Sequence, residues 1–274
     1  MPLKTEWLTY GKDREHTAYA AWTERAASPL PAVLVIQEAW GVDWHIEDIT
    51  QRFGRAGYFA MAPDIFSDHG KRPAPFERER MEDLKSFVNS SPPTLFSDAD
   101  AREKAIAERP EPLRSRIKES IELLMEHLAG PKLAESTAKL VTAVEFLRDE
   151  HPLTHGRGVA SVGFCMGGAL SAQLAGRDPQ LKGAVIFYGR PPDEALIERI
   201  RCPVIGFYGA LDRRITDMLP GFREAMKRHG KAFEEHIYDG AAHAFFNDAR
   251  PAYEVNASRD AWCRTLEFMG RVFA

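Results

Sequence analysis

Short apolar runs recur along the chain, each bounded by glycine, proline or charged residues. Ala32 to Gln37 reads Ala-Val-Leu-Val-Ile-Gln, nearly continuous in hydrophobicity, as a strand buried on both faces must be. Tyr58 to Ala62, Gly158 to Val162, Gly183 to Tyr188, Pro203 to Tyr208 and Phe233 to Tyr238 predict further short strands. Between these runs the apolar positions switch to helical spacing. Trp44, Ile46, Ile49 and Phe53 mark a helix over 43–55, and Leu140, Val141, Val144 and Leu147 mark one over 136–147. Shorter or terminal helices are predicted over 169–175, 193–200, 216–229 and 253–272. Strands that alternate with helices imply a mostly parallel sheet with helices on both faces, an α/β three-layer sandwich. Thr5 to Tyr10 and His16 to Trp22, joined at Gly11-Lys12-Asp13, predict an antiparallel edge to that sheet.

The pattern changes between residues 66 and 132. Proline interrupts this stretch at positions 73, 75, 92, 93, 110, 112 and 131, and charges are dense. Leu113, Ile117, Ile121, Leu124 and Leu128 form one apolar stripe of a helix, and a weaker helix covers about 76–88. The expectation is one α/β domain over 1–274 that carries a helical cap or lid inserted at 66–132.

Composition narrows the partners. The 274 residues are 44% hydrophobic, which supplies a substantial core, and the formal net charge is −4. With no long basic block, neither nucleic acid nor an anionic membrane is an expected partner. The N-terminal residues form no apolar leader, and no apolar run approaches the ~20 residues of a membrane span. Three cysteines, Cys165, Cys202 and Cys263, offer neither a disulfide framework nor a paired metal motif. A cytoplasmic protein without metal or cofactor, monomeric or homodimeric, is the expectation, and a reducing compartment keeps a free thiol usable. Cys202, beside a proline, and Cys263, in the terminal helix, read as structural.

Candidate chemistry gathers where strands end. Gly163-Phe164-Cys165-Met166-Gly167-Gly168 lies between a predicted strand and a predicted helix. G-x-C-x-G at such a turn is the nucleophile-elbow pattern with cysteine in the serine position. The turn leaves no room for side chains at 163 and 167, and the helix start supplies free N–H groups and a positive dipole end. Asp212 and His243 each follow a later strand, so nucleophile, acid and histidine come in the α/β-hydrolase order. In that arrangement His243 takes the thiol proton and Asp212 fixes the tautomer. The oxyanion donors are expected to be the N–H groups of Met166 and Ala39. Glu38 ends the buried strand at 32–37, where open α/β sheets bind ligands.

Four blocks in order, Glu38-Ala39-Trp40-Gly41, the elbow, Gly209-Ala210-Leu211-Asp212 and His243-Ala244-Phe245-Phe246-Asn247, resemble those of the dienelactone hydrolase family. The likeness spans nearly all of the chain outside 66–132. It implies an α/β-hydrolase fold and a cofactor-free enzyme that opens lactones or cleaves esters through a cysteine. It also implies that Glu38 lies near Cys165 and keeps the thiol quiet until substrate arrives. Two departures stand out. Family members specific for dienelactone carry arginine four residues after the histidine, where this chain has Asn247. Their second arginine falls in the expanded region, which offers Arg72, Arg78 and Arg80 without an alignment. Arg190 is a candidate substitute for anion binding, and Trp40, Phe164, Tyr188 and Phe245 are candidate pocket walls. The expected activity is hydrolysis of a small ester or lactone through an acyl-Cys165 intermediate. A thioesterase or acyltransferase with an acyl channel under 66–132 and a non-catalytic binding protein on the same fold are the alternatives.

Overall fold

The computed structural model describes residues 2–25, 29–91, 95, 98–128 and 130–274. Its eight strands are β1 (Leu3–Tyr10), β2 (His16–Thr23), β3 (Ala32–Ile36), β4 (Phe59–Pro63), β5 (Val159–Phe164), β6 (Ala184–Phe187), β7 (Val204–Gly209) and β8 (Phe233–Tyr238). They form one sheet in the order β1-β2-β4-β3-β5-β6-β7-β8. β1 and β2 pair antiparallel at one edge, and β2 pairs antiparallel with β4. Every other pairing is parallel. After β3 the chain moves outward to β4, then returns to lay β5 on the other side of β3. The β3/β5 border is therefore the topological switch point, where sheets of this kind bind ligands.

The period-2 alternation of the strands sorts the core into two layers. Val33, Val35, Ala160, Val162, Val185 and Phe207 point to one face and pack with Ile46, Ile49 and Phe53 of α1 (Trp44–Arg55) and with Phe268 and Met269 of α10 (Val255–Val272). Leu34, Ile36, Ala184, Ile186 and Val204 point to the other. There they meet Leu140 and Val144 of α5 (Gly130–Glu145), Leu170 and Leu174 of α6 (Met166–Arg177), and Phe222 and Met226 of α9 (Leu219–Arg228). These are the expected three layers of an α/β-hydrolase.

The 66–132 region contains α2 (Arg78–Asn89), α3 (Ala99–Ala107) and α4 (Leu113–His127). The predicted stripe of Ile117, Ile121 and Leu124 is buried and joins the second-face cluster together with Phe76, Leu84 and Phe87. Leu113 and Leu128, the two ends of the stripe, are only partly buried against it. Several helix boundaries differ from expectation. α5 begins at Gly130 rather than near 136, so residues 130–132 already belong to a core helix, and a short π-helical turn, Phe146–Glu150, follows it. The helix expected over 216–229 begins later, at Leu219 of α9, and a separate single turn, α8 (Arg213–Thr216), precedes it. Pro220 sits in the first turn of α9, where its missing N–H does no harm, but its ring blocks continuation from the turn before. α7 (Glu194–Ile197) is a single turn of the helix expected over 193–200. Among the described residues, no helix is long and apolar enough to cross a membrane.

Candidate active site

The elbow is built from close backbone contacts. A Cβ on Gly163 would lie 1.9 Å from the Gly167 carbonyl oxygen, and one on Gly167 would lie 2.3 Å from the Ile36 oxygen. Only glycine at both positions lets the turn between β5 and α6 close against the end of β3. Cys165 takes φ +56° and ψ −112°, a strained conformation for a residue with a side chain. It sits at the N-cap of α6, and its carbonyl accepts from the Ala169 N–H at 3.2 Å. The first-turn N–H groups of α6, Met166 among them, have no partner within the helix and remain available to an anion.

Asp212 and His243 reach the same rim from two loops that are fastened together. After β7 and β8, the Ala210 N–H donates to the Tyr238 carbonyl and the Leu211 N–H to the Ala241 carbonyl, both at 3.0 Å. This brings the His243 Nδ1 to 2.5 Å from Asp212 Oδ2 and its Nε2 to 3.1 Å from Cys165 Sγ. The carboxylate is buried and accepts the Nδ1 proton, which leaves Nε2 facing the sulfur. The three side chains predicted from sequence are thus in contact in one line. Burial works against the imidazolium, but the charge of an ionised Cys165 and the Asp212 contact outweigh it, and the His243 pKa is pushed up to about 10.

Glu38 is buried at the end of β3 and both of its oxygens are occupied. Oε1 accepts from the Tyr188 hydroxyl at 3.1 Å and Oε2 from Asn247 Nδ2 at 2.7 Å. Asn247 is itself oriented, because its Oδ1 accepts from the Ala249 N–H at 3.0 Å. The position that departs from the family's arginine therefore supplies a neutral partner for Glu38. Tyr188, expected as a pocket wall, is 1% exposed and offers a ligand almost no surface; it is a hydrogen-bond donor to Glu38 instead. Burial and then the nearby Glu38 charge raise its pKa well above the ordinary phenol value, so it stays a donor. Its ring packs 5.1 Å from that of His243. Tyr188 and Ala244, like Cys165, adopt positive φ without being glycine, so backbone strain clusters at this rim.

The other predicted contacts divide. Ala39 and Trp40 lie in the turn after β3, and the Arg250 guanidinium stands 5.3 Å from the Trp40 ring. Sequence reasoning did not single out Arg250, whose only cue was its place seven residues beyond His243. Phe164 stacks on Phe187 and Phe246 at 4.7 and 5.6 Å and is 1% exposed, which makes it a packing residue with almost no surface for a ligand. Phe245 is wholly buried against Tyr188 and Tyr238. Arg190 is exposed and has no ion-pair partner among the described residues.

Residues 17–273 match the family model described as the dienelactone hydrolase family. The chain belongs to the dienelactone hydrolase family. A Saccharolobus solfataricus member, provisionally named a carboxymethylenebutenolidase, is 32% identical over 95% of this chain and 96% of its own. A Bradyrhizobium protein provisionally named a 2-oxo-3-(5-oxofuran-2-ylidene)propanoate lactonase is 27% identical over 97% and 94%. Among solved structures, a Klebsiella pneumoniae protein provisionally named a dienelactone hydrolase superposes with a TM-score of 0.71 at 25% identity, covering 99% of this chain and 100% of that one. Membership of the dienelactone hydrolase family makes this chain a hydrolase.

Proposed function

We propose that this protein hydrolyses small carboxylic esters or lactones through a covalent thioester on Cys165. The supporting observation is the continuous contact line from Asp212 through His243 to the Cys165 sulfur. In the first half-reaction the Cys165 sulfur, its proton held by His243 Nε2, adds to the ester or lactone carbonyl. The oxyanion of the tetrahedral adduct points to the N–H groups of Met166 and Ala39. Collapse expels the alkoxide, which takes its proton from the His243 imidazolium, and leaves an acyl-Cys165 thioester. For a lactone the alkoxide stays tethered to the acyl group. In the second half-reaction a water gives its proton to His243 Nε2 and adds to the thioester. Collapse releases the carboxylic acid and returns the proton to the thiolate–imidazole pair. Asp212 holds the ring and balances its charge in both halves. The names of the Saccharolobus and Bradyrhizobium relatives, a butenolidase and a lactonase, favour the ester and lactone class over a long-chain thioester.

Replacing the sulfur with oxygen tests the assignment. Cys165→Ser is expected to fold and to lose at least about 10³-fold in kcat on p-nitrophenyl acetate, the scale of losing a triad member. In the parent, iodoacetamide should label Cys165 before Cys202, whose thiol pKa burial pushes up to about 12, and before exposed Cys263. Equal, slow labelling of all three would favour a non-catalytic binding protein.

A further inference from the structure

The insertion reaches back twice to the turn that carries Ala39. Arg72 makes the first contact. Its Nε lies 2.6 Å from Asp64 Oδ2 at the end of β4, in a largely buried pair, and its Nη2 donates to the Val42 carbonyl at 3.3 Å. The guanidinium rests directly on the turn. Gly41 has φ +82°, and a Cβ there would lie 2.8 Å from Arg72 Nη1. Lys85 of α2 makes the second contact. Its Nζ lies 2.7 Å from Asp43 Oδ2 and 2.8 Å from Glu82 Oε1, with Lys85 and Asp43 both buried. Asp43 Oδ1 meanwhile accepts the Ile46 N–H at 3.1 Å and caps α1, and the Asp43 N–H closes on the Gly41 carbonyl at 3.0 Å. Burial alone would lower the Lys85 pKa, but Asp43 and Glu82 outweigh it and raise it, so the ammonium persists. A third pair, Arg78 with Glu47, joins the start of α2 to α1 at 2.5 Å.

We propose that the insertion is a brace for the oxyanion turn, with Arg72 and Lys85 as positioning residues that hold residues 39–43, and so the Ala39 N–H, against the nucleophile elbow. This rests on the reading of Cys165 as nucleophile and Ala39 as oxyanion donor. The physical argument is that buried ion pairs at its seat oppose the opening of a lid, because each charge-assisted contact would have to break. A donor that stabilises a developing oxyanion, in contrast, needs such fixing, since loss of one donor costs on the order of 10²–10³ in kcat. Neither cation has to touch substrate.

Two reactions of the same sulfur separate positioning from general damage. Acylation by p-nitrophenyl acetate develops an oxyanion, whereas alkylation by iodoacetamide is a displacement at carbon that develops none. Asp43→Asn/Lys85→Met removes the buried pair while an asparagine cap remains for α1. Arg72→Lys keeps a charge for Asp64 but gives up the fork that reaches Val42. Each folded variant is expected to lose about tenfold or more in the acylation rate with little change in KM, while alkylation of Cys165 stays within about twofold of the parent, because a misplaced donor acts only on the oxyanion. Lys85→Arg, which retains the pair, should recover most of the acylation rate. Unchanged acylation in either variant, or acylation and alkylation falling together, would overturn the brace. Absence of selective Cys165 labelling in the parent would instead sink the nucleophile assignment, so the two failures are distinct.

Discussion

At the scale of single residues, the sequence carried the line of Asp212, His243 and Cys165 because each feature has a local cause. The elbow needs two glycines, and the acid and the histidine each fall in the loop after a predicted strand. The surroundings of Glu38 were not legible. Tyr188 and Asn247 come from two other loops, and nothing in either segment announces that both will donate to one buried carboxyl. Phe164 was misleading in a similar way. It neighbours the nucleophile in sequence, but strand alternation turns it into the core opposite the rim. Asn247 yields a direct prediction. Asn247→Leu removes a partner from a buried polar group and should destabilise the fold by about 1–3 kcal/mol. Urea unfolding of the variant beside the parent measures this, with Tyr188→Phe as the matching change on the other oxygen.

At the scale of elements, apolar spacing located the strands and most core helices, and it failed where a proline or an ion pair decides. Pro220 moved the start of one predicted helix to α9 and set it apart from the turn α8. α3 has a weak apolar face, with only Ile106 fully buried, so periodicity gave no sign of it. The seat of residues 66–132 depends on Lys85 meeting Asp43, a contact between α2 and the turn before α1 that no window of sequence contains. Lys85→Met alone leaves Asp43 buried without a counter-charge and should lower stability by about 3–5 kcal/mol, whereas the double change with Asp43→Asn should recover much of the loss. Thermal or urea melts of the three proteins at one pH would show the order.

At the scale of the whole molecule, stability should depend on pH through the site. His243 has a folded pKa of about 10 against an ordinary 6.5, but the rise rests on the charge of Cys165, whose proton an unfolded chain keeps on the thiol up to about pH 8.5, so the native pair holds an extra proton only between about 8.5 and 10. The contribution of the pair is flat between 6.5 and about 8.5 and is lost as pH rises from there towards 10. The melting temperature of the parent should therefore fall across that window more steeply than that of His243→Gln. Equal slopes would show that the imidazole is not held charged. The global architecture, by contrast, was open to sequence reading, since alternating strands and helices admit few sheets with right-handed crossovers.

The β3/β5 border also has a consequence for biosynthesis. Ala32–Ile36 zips onto Val159–Gly163 only after the whole insertion has been translated. Until then a ribosome-bound chain presents an apolar strand whose open edge is a row of unpaired N–H and C=O groups, the kind of surface that recruits chaperones or associates with its neighbours. Co-translational yield should thus hinge on how quickly the segment from β4 to β5 leaves the exit tunnel.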